Sequence, residues 1–482
     1  MKEYDVIIIG SGIGGLVSAG LLVSQGLKPL VVEAHTRPGG YLSSFRRKEY
    51  LFDSAVDCIS GTGPEGIIGR VLSLLDVGSQ IEFLPVEPIR RSMFPDFDVD
   101  VCGDLEEYKI SLTTLFPHER RGIRDFFKFT DRVYEEAVSS ISLLSGNNRS
   151  IAISPDVVTL RNMTYEDILK DYIADPRLRA VLSDRCPFIG LSPSVVAALP
   201  MIMLVMSYFR LGAFRPRGGF QELPDLIVSA IQDRGGDVIL GNEIRKIILD
   251  GDRCQRVLCE SGDEYCCKYL IANSDYIHTF SNLLGGGYSD IAKKMSDHPG
   301  ASTSFFIVYG SIAGRFTGHS SIGYFPSYDF PYFFNTEAEF RDDSTLGITV
   351  ASVEDHGRSP EGSETIVLHE MVSGSRDWSV RQQYAEMVVK KAEKALPELS
   401  GRIQIIDTAT PMTLQRYTKN HAGAAFGWNH VPGNFIMNGH GLKNFYIAGH
   451  WSEMGGGVLA AAYSGAKAAS AILTKEGITL DA

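Results

Sequence analysis

A run of apolar β-forming residues followed at once by closely spaced glycines constrains this chain more than any other feature. Residues 4–16 read YDVIIIGSGIGGL. The apolar run is typical of a strand buried on both faces, and apolar side chains recur at helical spacing over 12–25. A second buried strand follows at 27–34. The segment therefore predicts the strand–helix–strand unit of a parallel doubly wound sheet.

The glycines between the first strand and the helix suit a phosphate group, although a flexible surface turn is the alternative. Gly10 permits a tight turn, Gly12 lets a pyrophosphate approach the backbone, and Gly15 lets helix and strand pack closely. The helix dipole stabilises a nearby anion by roughly 0.3–1 kcal/mol. Glu33, at the end of the second strand, can accept hydrogen bonds from ribose hydroxyls and repels a 2′-phosphate. The pattern predicts a dinucleotide other than NADP and leaves NAD and FAD open.

A second glycine pair distinguishes between NAD and FAD. Residues 33–59 read EAHTRPGGYLSSFRRKEYLFDSAVDCI. This segment resembles flavoproteins with a Glu-Ala-x-x-x-x-Gly-Gly extension, and the Phe-Asp-Ser after it resembles phytoene desaturases, carotenoid cis–trans isomerases and retinol saturases. The resemblance implies FAD, with Ala34, Gly39 and Gly40 along the cofactor. Tyr41 stands where many amine oxidases carry arginine, which argues against an ordinary amine oxidase.

The segment 444–473, NFYIAGHWSEMGGGVLAAAYSGAKAASAIL, resembles the closing flavin segment of the same family. The resemblance places Gly449 near the pyrophosphate and brings the N-terminus of the last helix, with its glycines 455–457, toward the flavin pyrimidine ring. That helix dipole would stabilise negative charge on the reduced flavin. His450 stands where relatives often carry Asp, so its role stays open.

Two internal segments extend the resemblance to about half of the chain. The segment 214–247 resembles the family's Pro-x-Gly-Gly helix and the strand after it, in which Val238 would pair its backbone with the adenine. The segment 416–428, RYTKNHAGAAFGW, resembles a Tyr-Thr-x-Asn-x-x-Gly-x-x-Gly-Trp segment of saturase-like members. The full set of residues expected to contact FAD is Gly10, Gly12, Ile13, Gly14, Gly15, Glu33, Ala34, Gly39, Gly40, Tyr41, Val238, Gly449, His450, Gly456, Gly457 and Val458.

The chain has 482 residues, which is too long for one simple core. The pattern of apolar, polar and glycine residues also changes along the sequence. We predict an α/β fold in which a Rossmann-type FAD-binding domain, of the glutathione-reductase and amine-oxidase type, is interleaved with an α+β substrate domain. The FAD-binding domain comprises 1–75, 217–300 and 411–482, and the substrate-binding domain comprises 76–216 and 301–410.

The predicted substrate domain contains the most apolar segments. A strongly amphipathic helix is predicted at 117–137, packed on the protein body or, as the alternative, lying on a membrane surface. The stretch 195–209 is too short to span a membrane and fits buried core, the wall of an apolar pocket or an interfacial dip. An apolar pocket or ordinary core is predicted for Phe126, Phe127, Phe129, Phe188, Met201, Met203, Met206, Tyr208 and Phe209.

These features predict FAD-dependent chemistry on the C=C bonds of an extended hydrophobic molecule, such as a carotenoid or another polyene. Desaturation, saturation and cis–trans isomerisation, with hydride exchange at flavin N5, stay open. The weak candidates for acid–base residues are Tyr417, Lys419 and His421, with His430 nearby; for His421 and His430 a surface loop is the simpler account. A flavin amine oxidase, and a flavin-free isoprenoid-binding protein such as the Rab escort type, are the alternatives.

Composition and charge limit the partners. The net charge of −12 argues against nucleic acid. Seven cysteines without a C-x-x-C pair favour a reduced setting, and the first apolar run lacks the basic region of a signal peptide. We expect a cytoplasmic protein, with peripheral membrane contact left open, a hydrophobic small-molecule substrate and no metal site. The sequence does not indicate an oligomeric state.

Overall fold

Two mixed sheets organise the protein. The structure, a computed structural model, describes residues 2–140, 159–334, 341, 343–433 and 440–479. In spatial order, the first sheet comprises Ile244–Asp250, Arg253–Cys259, Glu264–Ala272, Lys2–Ile9, Pro29–Val32 and Asp237–Ile239, with Phe445–Ile447 also beside Glu264–Ala272. The second comprises Ile403–Ala409, Ser304–Ala313, Ser363–Val372, Leu346–Thr349, Ser321–Tyr324, Arg90–Met93 and Asp98–Val101. Two short hairpins pair Ser44–Arg47 with Tyr50–Asp53 and Phe83–Pro85 with Phe214–Pro216.

Helices pack on both sheets. The α-helices of the described residues are Ile13–Ser24, Ile67–Leu74, Leu105–Leu115, Arg120–Ser140, Tyr165–Tyr172, Pro176–Val181, Ala198–Leu211, Glu222–Asp233, Tyr276–His278, Ser289–Asp297, Phe330–Phe333, Arg381–Ala395, Pro411–Thr418 and Val458–Lys475. Among these described helices, no segment is both long and apolar enough to cross a membrane.

The first sheet confirms the Rossmann-type α/β prediction. Lys2–Ile9 pairs in parallel with Pro29–Val32 on one side and with Glu264–Ala272 on the other. Its central side chains are fully buried because helices cover both faces of the sheet. Helices Ile13–Ser24 and Val458–Lys475 pack together so closely that a Cβ on Gly465 would collide with the backbone of Gly14. Two glycine-containing helices thereby meet on one face of the sheet.

The second sheet has two different faces because side chains alternate along its strands. Phe306 and Val308 pack with the helix Arg381–Ala395 on the outer face. Phe305, Ile307 and the neighbouring strand's His369 point the other way, into the space between the two sheets. This inner face therefore forms one wall of the site described below.

The domain division stays a prediction, and the sheets support it. Every strand of the first sheet comes from the segments assigned to the FAD-binding domain, and every strand of the second comes from 76–216 or 301–410.

The predicted amphipathic helix is present at Arg120–Ser140 after a short 3₁₀ turn at Pro117–Glu119. Its apolar face packs on the protein body, so this face is not free for a membrane; the buried side chains are Ile123, Phe126, Phe127, Thr130, Val133 and Tyr134. The apolar stretch forms the helix Ala198–Leu211, which is core on one side and wall of a cavity on the other.

The helix Pro411–Thr418 has an N-cap whose loss should be measurable. The Thr410 hydroxyl accepts a hydrogen bond from the Thr413 backbone N–H, and the Thr413 hydroxyl accepts one from the Thr410 backbone N–H. Thr410→Ala should lower the free energy of unfolding by about 1 kcal/mol, because it leaves helix N–H groups unpaired. Denaturant titration measures this change. Thr114→Ala is the matched control, since its hydroxyl bonds only within its own helix; equal losses in both variants would contradict the assignment.

Candidate functional site

A cavity of about 1300 Å³ lies between the two sheets and has two chemically different ends. One end is formed by glycine-rich turns and by polar residues at the carboxyl ends of the parallel strands. The other end is formed by the inner face of the second sheet and by the helix Ala198–Leu211, and its wall is mostly apolar. Ligands of open α/β sheets bind at the carboxyl ends of the strands, so the glycine-rich end is where a nucleotide is expected.

Two helix N-termini without side-chain caps point at this cavity. The helix Ile13–Ser24 begins after Gly12, and the helix Val458–Lys475 begins after Gly457. Neither has a side-chain cap or an acidic residue in its first turn. Each therefore presents unpaired N–H groups and the positive end of its dipole to a ligand. The pair suits a ligand with two separate electron-rich groups.

The glycines leave an open cradle between these helix ends. A Cβ placed on Gly40 would meet nothing nearer than the Gly12 Cα, at 3.7 Å, and a Cβ on Gly457 would meet no atom within 4 Å. Any side chain at these positions would project into the cavity. Glu33 stands beside the cradle, where its carboxylate accepts hydrogen bonds from the Ser11 backbone N–H at 2.7 Å and the His35 N–H at 2.8 Å. These features fit FAD. The glycine cradle suits its pyrophosphate, the Glu33 carboxylate suits a ribose, and the second helix end suits a further electron-rich group.

The structure brings most of the predicted cofactor residues to the cavity wall. Gly15 lies beneath it instead: a Cβ there would collide with the Gly10 carbonyl oxygen, so this glycine serves the close packing of helix and strand. The predicted cofactor residues that do line the cavity are Gly10, Gly12, Ile13, Gly14, Glu33, Ala34, Gly39, Gly40, Tyr41, Gly449, His450, Gly456, Gly457 and Val458.

Val238 does not reach the cavity, and the prediction for this residue needs correction. Val238 lies inside the strand Asp237–Ile239, where its backbone pairs with Pro29–Val32. Glu243 and Ile244 line the cavity in its place, because the chain reaches the cavity only after that strand has ended. Ligands of open α/β sheets bind beyond the carboxyl ends of the strands, and this rule would have predicted Glu243 and Ile244 rather than a residue inside the strand.

Asn273 also lines the cavity and was missed by the sequence analysis. It follows the strand Glu264–Ala272, and its side-chain amide donates to the Gly10 carbonyl at 3.2 Å. This contact fixes the glycine turn against the adjacent strand. The same signal, a polar residue directly after a buried parallel strand, would have found it.

The weak acid–base candidates lie at the nucleotide end of the cavity, away from the apolar end. The Tyr417 ring packs edge-on against His35, and Lys419 forms an ion pair with Glu243. His421 is exposed and does not line the cavity. The structure therefore places these three residues near the expected adenosine or in solvent, which does not favour the acid–base role considered for them.

His430 and His450 have a different setting, which corrects the surface-loop account of His430. Both rings lie on the cavity wall. His430 Nε2 accepts a hydrogen bond from the Gly456 N–H at 3.0 Å and so holds the glycine loop before the last helix. His450 Nε2 lies 3.1 Å from the Asn420 Oδ1 atom, which also accepts from the Trp451 indole at 2.8 Å.

Asp57 carries a buried charge on the cavity wall. Arg215 forms an ion pair with its Oδ1 at 2.5 Å, and hydrogen bonds arrive from Ser321 at 2.5 Å and Thr349 at 2.9 Å. Burial alone would raise the pKa of the Asp57 carboxyl, but Arg215 and Ser321 hold it below its usual value. These partners come from distant parts of the chain. The sequence therefore gave no signal for this cluster.

Buried histidines should make the protein sensitive to mild acid. Burial lowers the pKa of His369, His430 and His450 to about 4. Between about pH 6.5 and pH 4 the unfolded chain binds protons on these rings that the folded protein does not, so stability falls as the pH falls through this window. His430→Gln, which keeps an acceptor for Gly456, should reduce the slope by up to about 1.4 kcal/mol per pH unit.

Denaturant titrations at pH 7, 6 and 5 measure this slope. The matched control is His421→Gln, which makes the same replacement at an exposed position off the cavity wall. An unchanged slope in His430→Gln would show that His430 is protonated equally in the folded and unfolded states.

Comparisons with known proteins agree with this site. A family model described as an NAD(P)-binding Rossmann-like domain matches residues 8–75, and one described as flavin containing amine oxidoreductase matches residues 165–306. A putrescine oxidase variant of known structure shares the fold, with a TM-score of 0.66 and 14% identity, over 98% of this chain and 99% of that one.

Curated relatives match along nearly the whole chain. Prolycopene isomerase of Daucus carota is 26% identical over 99% of this chain and 81% of its own. All-trans-retinol 13,14-reductase of Rattus norvegicus is 25% identical over 89% of this chain and 78% of its own. Lycopene-forming phytoene desaturase of a Paracoccus strain is 23% identical over 94% of each chain. The chain is therefore an FAD-dependent oxidoreductase that is similar, over nearly its whole length, to phytoene desaturases, carotenoid isomerases and retinol reductases.

Proposed function

We propose that this protein acts on C=C bonds of an extended hydrophobic polyene or isoprenoid with FAD as its redox cofactor. The observation that carries the proposal is the continuity of one cavity, which joins the glycine cradle to an apolar chamber. A substrate in that chamber lies against the cofactor without crossing water. The relatives named above for prolycopene, retinol and phytoene support this class of substrate.

The chamber suits a long hydrocarbon because its wall is mostly apolar. Leu199, Met203 and Leu204 face it from the helix Ala198–Leu211, and Ile307 and Ile348 face it from the second sheet. Each CH₂ removed from water contributes about 0.8 kcal/mol, so a polyene needs few polar contacts to bind. The wall also excludes water from the reacting bond.

Bound FAD would supply hydride exchange at its N5 atom. The residues proposed to hold it are those lining the glycine-rich end of the cavity, with Glu243 and Ile244 replacing Val238. His430 holds the loop before the last helix in place through Gly456, and the Tyr41 hydroxyl donates to the Ala424 carbonyl at 2.9 Å. These contacts fix the two walls between which the cofactor lies.

Product mass distinguishes the three reactions that fit this site. The holoprotein is incubated without oxygen, once oxidised and once photoreduced, with phytoene, prolycopene or all-trans-retinol, and the extracted product is examined by mass spectrometry and chromatography. Desaturation removes two hydrogens, saturation adds two, and isomerisation changes retention without a change in mass. The same incubations are made with a polyene acid, all-trans-retinoic acid. Conversion of any of these polyenes supports the proposal; no change in any of them contradicts it.

The two alternatives give different results in the same assays. An amine oxidase would turn over amines and release peroxide. A flavin-free isoprenoid-binding protein would purify without visible absorbance and would still bind the polyene. A cytoplasmic location fits the seven cysteines, none of which forms a disulfide in the part of the chain that the structure describes. Co-sedimentation with lipid vesicles tests peripheral contact with a membrane.

A further inference from the structure

A buried guanidinium lies on the wall of the mostly apolar chamber. Arg90 begins the strand Arg90–Met93 of the second sheet, and its side chain lines the cavity although the residue is only 3% exposed. A hydrocarbon substrate offers neither a hydrogen-bond acceptor nor a negative charge to a guanidinium. Its position therefore needs an explanation beyond the binding of a polyene chain.

The Arg90 guanidinium lies near two carboxylates but forms a hydrogen bond with neither of them. Within the described ranges, no hydrogen bond or ion pair uses its guanidinium, and its Nε is shut off from solvent without an acceptor. Asp57 is already bound by Arg215, Ser321 and Thr349, as described above. The other nearby carboxylate, Asp184, accepts a hydrogen bond from Ser92 at 2.6 Å. A buried guanidinium whose N–H groups lack acceptors is unfavourable, so an anion supplied by a ligand would complete this site.

The surroundings hold the guanidinium in one place. It lies over the Phe188 ring, 5.0 Å from the ring centroid, and 6.0 Å from the centroid of Phe325. Gly323 on the adjacent strand leaves the space it occupies, because any Cβ there would collide with the guanidinium. Burial lowers the pKa of Arg90 to about 10, so that the group stays charged at neutral pH. A fixed, charged and planar donor is what a carboxylate binds best.

We propose that Arg90 binds a carboxylate at one end of the substrate, which makes a polyene or isoprenoid carboxylic acid the substrate class of this protein. The inference rests on the proposed function, since the hydrocarbon part of the same molecule would fill the apolar chamber. His369 lies on the cavity wall close to both Arg90 and Asp57, and its neutral ring can donate a further hydrogen bond to the carboxylate.

Binding of cis-parinaric acid, a linear conjugated polyene acid, and of its methyl ester tests the inference. The FAD-loaded protein is titrated with each probe, and binding is followed by probe fluorescence. The wild-type protein should prefer the acid by about tenfold to a hundredfold, as expected for charge-assisted hydrogen bonds. Arg90→Met should lose this preference and keep the affinity for the ester. Arg90→Lys, which keeps the charge without the planar fork, should retain part of the preference.

Arg70→Met is the matched control, because Arg70 borders the same cavity but is exposed and should leave the ratio of the two affinities unchanged. Equal wild-type affinities for acid and ester would overturn the inference and leave the proposed function intact. Failure to bind either probe would count against both. An acid preference that survives in Arg90→Met would also overturn the inference. The ratio of the wild-type affinities for the acid and the ester tests the inference even where a variant does not fold.

Discussion

Replacing Gly12 by valine should give a folded protein that purifies without flavin. Gly12 has φ −61° and ψ 166°, a conformation open to any residue, so the substitution strains no backbone. The new Cβ would lie 3.0 Å from the Asn273 amide, and the rest of the side chain would occupy the cradle between the two helix ends. Loss of the pyrophosphate contact should weaken FAD binding by about a hundredfold or more. Visible absorbance relative to protein absorbance measures the occupancy.

Gly287→Val is the matched control, because Gly287 is exposed and a Cβ there would meet no atom within 4 Å. This variant should purify with as much flavin as the wild-type protein. Circular dichroism shows whether both variants fold. A folded Gly12→Val protein with normal flavin content would mean that no phosphate approaches the backbone at this turn.

A charge placed in the apolar chamber should remove polyene binding and leave the flavin in place. Met203 faces the chamber from the helix Ala198–Leu211. In Met203→Asp, a hydrocarbon would bury a carboxylate without a partner, which should weaken polyene binding by about a hundredfold. The glycine cradle lies at the other end of the cavity, so the visible spectrum should not change. Titration with the methyl ester of cis-parinaric acid measures the loss.

Val195→Asp provides the comparison. Val195 is 42% exposed and does not line the cavity, so that this variant should bind the ester as the wild-type protein does. Equal losses in Val195→Asp and Met203→Asp would indicate general destabilisation. Unchanged binding in Met203→Asp would place the hydrocarbon elsewhere.

The nucleotide end of the site is largely predictable because its signals are local. A buried strand, the glycine spacing after it and Glu33 lie within the first 33 residues, and the helix Ile13–Ser24 starts where the glycines indicate. The second glycine-rich helix is equally local, at Val458–Lys475. Short-range patterns specify these elements because backbone geometry at a tight turn restricts which residues fit.

The apolar end is not predictable in the same way, since its polar groups come together only through strand pairing. Asp57, Arg90 and His369 lie on different parts of the chain, and none belongs to a motif. His430 is a similar case: its ring caps a loop that precedes the last helix, and its carbonyl accepts from the Ala197 N–H. Only the tertiary fold shows that such residues share a cavity.

The pairing of the first and last glycine-rich helices has a consequence for biosynthesis. The strand Phe445–Ile447 and the helix Val458–Lys475 complete the sheet and the cofactor cradle that the first residues begin. A ribosome adding 5–20 residues per second needs on the order of a minute to connect them. During that time the inner face of the helix Ile13–Ser24 stays uncovered. Flavin capture therefore waits until the helix Val458–Lys475 has been synthesised, and nascent chains are expected to depend on chaperones until then.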